Sequence, residues 1–177
     1  MSKPCKYHPQ HLIIGIFERD PILKQLARPV PENTIRGDVI HQMIMDMVYT
    51  NQCEEGLGLV GPQVFRPYQV MVIDPQKSAF HKNIKRIRPI VMINPELIFA
   101  SNTTEQATET CLSHPGVLGT VERFKRVQVK FRDCEGGNHT EMYDGLIARI
   151  FQRGYDILQG IPFTEKILHK QPITETA

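Results

Sequence analysis

Residues 144–159 read Asp-Gly-Leu-Ile-Ala-Arg-Ile-Phe-Gln-Arg-Gly-Tyr-Asp-Ile-Leu-Gln. Leu146, Ile147, Ile150, Phe151, Ile157 and Leu158 recur at helical spacing, which predicts one amphipathic helix from about Asp144 to Gln159. Gly154 lies inside it and costs about 1 kcal/mol relative to alanine at a regular helical site. A glycine at such a point raises the question of what side chain the helix once carried there.

Upstream, the run Glu54-Glu55-Gly56-Leu57-Gly58-Leu59-Val60-Gly61-Pro62-Gln63-Val64 is rich in glycine. Gly56, Gly58 and Gly61 imply close backbone approach or positive φ, and argue against a regular strand. No Gly-Lys-Ser/Thr follows, so the run is not a phosphate-binding Walker loop. It follows a helical pattern instead of opening a helix after a strand, so it is not a dinucleotide fingerprint. The preceding helix is predicted from a cap at Asn33 or Thr34. Its apolar stripe runs through Ile35, Val39, Ile40, Met43, Ile44, Met47 and Val48. The methionines in it read as core filling.

Val70–Ile73 and Ile90–Ile93 read as buried strands. Val127–Phe131 alternates and reads as a strand with one wet face, followed by a hairpin turn at Gly136-Gly137-Asn138. Asp20-Pro21-Ile22-Leu23 opens a turn. The stretch from His81 to Arg88 carries Lys82, Lys85, Arg86 and Arg88. It reads as a solvated loop, with contact to RNA or an acidic partner as the functional alternative. Periodicity thus describes a mixed α and β domain.

The 177 residues are 41% hydrophobic and 23% charged, ordinary values for a globular chain. Lys+Arg 21 against Asp+Glu 19 leaves a net charge of +2, too small to imply nucleic-acid binding by itself. No apolar run reaches the length of a membrane span. Four cysteines and seven histidines could supply a metal site or a nucleophile. Cys5, Cys53, Cys111 and Cys134 lack any C-x₂₋₄-C spacing, which excludes zinc-ribbon and thioredoxin-type motifs. Reduced intracellular thiols are the simpler expectation. The N-terminus shows no secretory h-region. Residues 1–12 are expected to form an arm, 13–168 a single domain and 169–177 a loose tail.

Three segments together resemble the peptide deformylase family, metal-dependent enzymes that remove the formyl group from the initiator methionine of nascent chains. Gly56-Leu57-Gly58-Leu59-Val60-Gly61-Pro62-Gln63 is similar to the family's G-φ-G-φ-A-A-P-Q loop, with Val60 and Gly61 in place of two alanines. Glu109-Thr110-Cys111-Leu112-Ser113 is similar to E-G-C-L-S. Gln152-Arg153-Gly154-Tyr155-Asp156-Ile157-Leu158 aligns with Q-H-E-x-D-H-L. Flanking matches at Asp20-Pro21, Ile93-Asn94-Pro95-Glu96, Ala148-Arg149 and Gly160 hold the register over about residues 13–165. The resemblance implies an α+β fold of short antiparallel sheets around a central helix, here the one bearing Arg153.

It also implies a chemistry that can be followed residue by residue. In the family, two histidines at i and i+4 of one helix and one cysteine hold a divalent metal such as iron or zinc, with the fourth position open to water. The glutamate handles that water's proton. A glutamine and a backbone N–H stabilise the oxyanion. Here Cys111 keeps the thiol position, and Gln63 and the Leu112 backbone keep the oxyanion positions. Gly58 keeps its place in the pocket loop. Arg153 and Ile157 stand at the two histidine positions, and Gly154 stands at the catalytic glutamate. Arginine keeps its positive charge in proteins, and isoleucine has no lone pair. Loss of a general base alone removes about 10²–10⁴ in rate.

No metal is therefore expected. His114, at C-x-x-H spacing from Cys111, would point to the opposite face if both lay on one strand. His41, His81 and His139 read as surface or half-buried. Arg153 is expected to pair with an Asp or Glu, or else to fill the ligand-side cavity or hold an anionic end of a ligand. The leading expectation is a non-catalytic deformylase-like protein that binds N-terminal or extended peptides, by strand addition beside Gly58, or partners of translation. The alternatives are an active deformylase with a relocated metal, an amidase built on Cys111, and a structural subunit. Membrane and nucleic acid are not expected partners, and the expected compartment is intracellular, cytoplasmic or organellar.

Overall fold

The computed structural model describes residues 8–76 and 88–171. Cys5 and most of the basic stretch, residues 81–87, lie outside these. The N-terminal segment runs over the surface of α1 (Asp38–Cys53). The Gln10 N–H donates to Asp46 Oδ1 at 2.8 Å and the Leu12 N–H to Thr50 Oγ1 at 2.9 Å. Residues 10–12 are thus held on the domain, although the sequence reading placed them in an arm.

Helix α1 buries Ile40, Met43, Ile44 and Met47, the i, i+3, i+4, i+7 face of an amphipathic helix. It starts later than expected. Asn33 and Thr34 lie in a separate 3₁₀ turn, Glu32–Thr34. The Thr34 hydroxyl donates back to Pro31 O at 2.8 Å, so it does not cap the helix. Gly37 is the N-cap and makes no side-chain bond there. Val39, expected in the stripe, is 81% exposed.

Strand β1 (Gly58–Val60) leads into a 3₁₀ turn, Gly61–Val64, and then β2 (Val70–Ile73). The glycines do mark close approach. A Cβ on Gly58 would lie 2.5 Å from Val72 O, and one on Gly61 would lie 2.5 Å from Tyr68 O. Close approach and strand structure coexist at Gly58, contrary to expectation, because the neighbouring strand β2 supplies the oxygen that leaves no room for a side chain.

Strands β3 (Ile90–Ala100), β4 (Thr104–Cys111), β5 (His114–Phe124), β6 (Arg126–Arg132) and β7 (Asn138–Asp144) follow, with β4–β5 and β6–β7 as hairpins and β3 pairing with β2 and β6. Val127, Val129 and Phe131 point inward along β6, as the alternation predicted. Helix α2 (Gly145–Leu158) follows, then a 3₁₀ turn, Phe163–Lys166, and β8 (Ile167–Gln171). One antiparallel sheet has the order β1-β2-β3-β6-β7 and the other β4-β5-β8. Helix α2 touches strands of both, so it is the central helix of an α+β fold. Its Ala148, Ile150, Phe151, Ile157 and Leu158 belong to the larger core, together with Met71, Met92, Val121 and Phe163.

The tail expected to be loose from His169 is ordered as far as Gln171. His169 pairs with Thr120 and Lys170 with Gly119, because β5 has an edge that β4 leaves open. No described helix is long and apolar enough to cross a membrane.

Candidate functional site

Three elements meet around Cys111. Strand β4 ends at Cys111, and Leu112 and Ser113 form the turn into β5. The 3₁₀ turn after β1 brings Gln63, and α2 brings Arg153, Gly154 and Ile157. The predicted site residues are therefore assembled in one place, with Gly58 of β1 lying under Ile150 of the helix.

Gln63 is buried and fully engaged. Its Oε1 accepts from the Val60 N–H at 3.1 Å and its Nε2 donates to Ser113 Oγ at 3.0 Å. The same Nε2 lies 3.7 Å from Cys111 Sγ, within hydrogen-bonding reach of sulfur. Leu112 sits next to the thiol in the turn and packs against the smaller core. Cys111 itself is 5% exposed. Burial pushes its thiol pKa up, and this outweighs the opposing pull of the Arg153 charge.

Helix α2 supplies no metal-ligand atom at positions 153, 154 and 157. The Arg153 guanidinium donates through Nη1 to Thr110 O at 2.6 Å. It makes no ion pair among the described residues, contrary to the expected partnership with an Asp or Glu, because the neighbouring carboxylate Glu109 is taken by other arginines. A Cβ on Gly154 would lie 2.8 Å from Met71 Cε and 3.1 Å from Val60 Cγ1. The room a longer side chain needs there is filled by Met71. Ile157 is 1% exposed and packed in the core.

His114 does not complete a set with Cys111, but the reason differs from the one the sequence suggested. The two residues lie on different strands and face each other across the β4–β5 hairpin. The His114 ring stacks on Phe17 at 4.6 Å and meets Phe163 edge-on at 5.3 Å. His139 is bonded to Asp133 on the β6–β7 hairpin, and His81 lies outside the described residues. Elsewhere, His41, Cys134 and Glu135 bring one ligand atom each within 4.8 Å of one another, between α1 and the β6–β7 turn. There the His41 Nε2 already lies 3.1 Å from Cys134 O.

Sequence reasoning missed a buried charge network beside the site. Glu109 Oε1 accepts from Arg123 Nε at 3.0 Å and from Arg149 Nη1 at 2.8 Å, and Oε2 accepts from Arg123 Nη2 at 3.1 Å. Arg123 also bonds Asp156 of α2. Burial alone would lower the Arg123 pKa, but these acids leave it raised. Arg149 was a visible signal, since it lies among the apolar residues of the α2 face, where a charge needs a buried partner. Next to this network a cavity of about 380 Å³ opens between α2 and β4.

A divalent metal held in the Cys-His₂ manner does not fit these residues. Cys111 is the sole donor kept, its thiol is biased toward the protonated form, and a guanidinium approaches from the helix. A metal needs deprotonated or neutral donors in a set of three or four.

The family model described as polypeptide deformylase matches residues 16–172. A peptide deformylase of Desulforudis audaxviator is 36% identical over 148 residues, covering 83% of this chain and 88% of that protein. Peptide deformylase 2 of Nostoc sp. is 31% identical over 148 residues, covering 84% and 82%. The Met-Ala-Ser-bound class I type b peptide deformylase from Acinetobacter baumannii superposes with a TM-score of 0.86 at 30% identity, covering 90% of this chain and 100% of that one. Peptide deformylase from Thermotoga maritima superposes at 0.79 with 31% identity, covering 92% and 100%. By its sequence and by its fold, this chain belongs to the peptide deformylase family.

Proposed function

We propose that this chain is a deformylase-fold protein that holds no catalytic metal at Cys111, does not hydrolyse formyl-methionine amides, and uses its pocket to bind. One observation carries this reading. Arg153, Gly154 and Ile157 offer neither a ligand nor a base on the helix face opposite Cys111. The close fit of Met71 against Gly154 supports it, since a core settled into that space serves packing. Extended peptides suit the free edge of β1, which ends the five-stranded sheet and pairs there with β2 alone among the described strands.

Family membership favours a second reading, an active deformylase with its metal held differently, for the matched relatives are named peptide deformylases. Metal analysis of the purified protein, alongside formate release from a formyl-Met peptide, separates the two. The binding reading expects substoichiometric metal and formate release no faster than in buffer. Stoichiometric metal with turnover sinks it. Cys134→Ser and Cys111→Ser identify the thiol involved if metal is found. Saturable binding of Met peptides to the unaltered protein, formylated or not, excludes the third reading, a purely structural subunit.

A further inference from the structure

The geometry points to a built receptor for an aliphatic carboxylate, with Arg153 as its anion-binding group and the cavity beside it as the seat of the apolar body. This deepens the binding reading above and rests on it.

Arg153 is 8% exposed, so more than nine-tenths of it is buried. Arg123 and Arg149 are as deeply buried, and both pair with Glu109, at 3.0 and 2.8 Å. Arg153 has one hydrogen bond, to a neutral carbonyl, and no ion pair among the described residues. Arg149, Arg153, Glu105 and Glu109 line the cavity, and both carboxylates are engaged by Arg149 or Arg123, so that Arg153 alone of these arginines has no carboxylate partner among the described residues. Glu105 is an exposed rim residue, 3.8 Å from Arg149 Nη2. Removing one charge of a buried pair is strongly unfavourable, and an unmatched buried guanidinium is in the same position until an anion reaches it.

The donors of Arg153 can be reached. Among the described residues, the fully enclosed side-chain polar atoms without a partner are Gln42 Oε1, Asn51 Oδ1, Asp74 Oδ1 and His114 Nδ1, and none belongs to Arg153. Its unused N–H groups therefore meet open space, and Arg153 lines the cavity of about 380 Å³. That size is within the range of small-molecule sites, about 300–1,000 Å³. The other walls include Leu57, Leu118, Leu146 and Ile150. Glu105, Glu109 and Arg149 also line it, but these are paired with one another or with Arg123, which leaves Arg153 as the free charge facing the aliphatic walls. Such a chamber selects a ligand with an aliphatic body and a carboxylate head, which takes two parallel N–H bonds from the fork of an arginine. The carboxylate comes from a free acid or from the C-terminal residue of a peptide.

Calorimetric titration of the unaltered, chelator-treated protein with 4-methylpentanoate and with 4-methylpentanamide tests the head group. N-acetyl-Gly-Leu and its C-terminal amide do the same for the peptide source. At least one acid is expected to bind saturably and to exceed its amide by about tenfold or more, the scale of a charge-assisted hydrogen bond. Arg153→Gln is expected to remove that preference while amide binding persists, and Arg153→Lys to restore part of it. Equal binding of acid and amide, an acid preference untouched by Arg153→Gln, or no saturation by either acid overturns the inference. Because metal content and turnover are measured in separate experiments, failure here leaves the non-catalytic reading to be decided by those. Stoichiometric metal at Cys111 overturns both.

Discussion

Met71 occupies the space that a side chain on Gly154 would need: its methyl lies 2.8 Å from the position of a Cβ there. The methionine tip is flexible, so a small residue is tolerated better than a long one. Gly154→Glu is expected to destabilise the fold by about 1–3 kcal/mol through overpacking and burial of a carboxyl group. Met71→Ala in the same chain should recover part of that loss, so that the two changes are non-additive in urea unfolding. Additive effects would show that Met71 is not the obstacle.

Restoring the family's residues is a sharper experiment. Arg153→His, Gly154→Glu and Ile157→His are combined with Met71→Ala. Stoichiometric zinc in this variant, against none in the parent, is the expected outcome of equilibrium dialysis. Cys111, Gln63 and the helix position are retained, and the obstruction at Gly154 is gone. A variant that is folded by circular dichroism yet takes up no zinc would place the remaining fault in the β4–β5 hairpin.

Glu109 holds two buried arginines at once. Glu109→Gln keeps the shape but leaves both guanidinium groups without their shared charge. The expected loss is about 3–5 kcal/mol, the scale for breaking a buried pair from one side. Urea unfolding measures it, and a loss below about 1 kcal/mol would mean that Asp156 and solvent already compensate.

Cys53 is exposed, while Cys111 is buried. Burial raises the Cys111 thiol pKa, and Arg153 pulls it the other way. Since the thiolate is the reactive form, iodoacetamide at pH 8 should label Cys53 well before Cys111 when followed by mass spectrometry. Arg153→Gln should slow Cys111 further. Faster labelling of Cys111 in that variant would indicate that Arg153 acts as a plug and not as a charge.

The His114 pKa is lowered from 6.5, mainly by burial, with Glu18 opposing weakly. Unfolded chain therefore binds the proton first. Stability is full above about pH 6.5 and falls as the pH drops from there toward the lower native value. Unfolding midpoints at pH 7.5 and 5.5 should differ less in His114→Phe than in the parent. An unchanged difference would assign the pH response to other groups.

The helix bearing Arg153 was readable from its apolar spacing, and β6 from strict alternation, because each buries one face against a single core. Strands β4 and β5 were not. Thr104–Cys111 is polar for most of its length and buries only Glu109 and Cys111, so its pairing depends on partners remote in sequence. The same remoteness hid the Glu109 network and the hairpin that sets Cys111 opposite His114. The motif register located Gln63, Cys111, Arg153, Gly154 and Ile157 together. It could not foresee that Arg153 would face a carbonyl, because Glu109 spends both its oxygens on residues 14 and 40 positions away.

The last strand of the fold has a consequence for synthesis. Strand β8 is the third member of the sheet that carries Thr110 and Cys111, and it follows every other element in chain order. During translation the β4–β5 hairpin is made about fifty residues before β8 can cover it, some seconds at ordinary elongation rates. For that interval the β5 edge is open to any extended chain nearby. Pairing of β8 with β5 thus closes the open edge of the hairpin that carries Cys111.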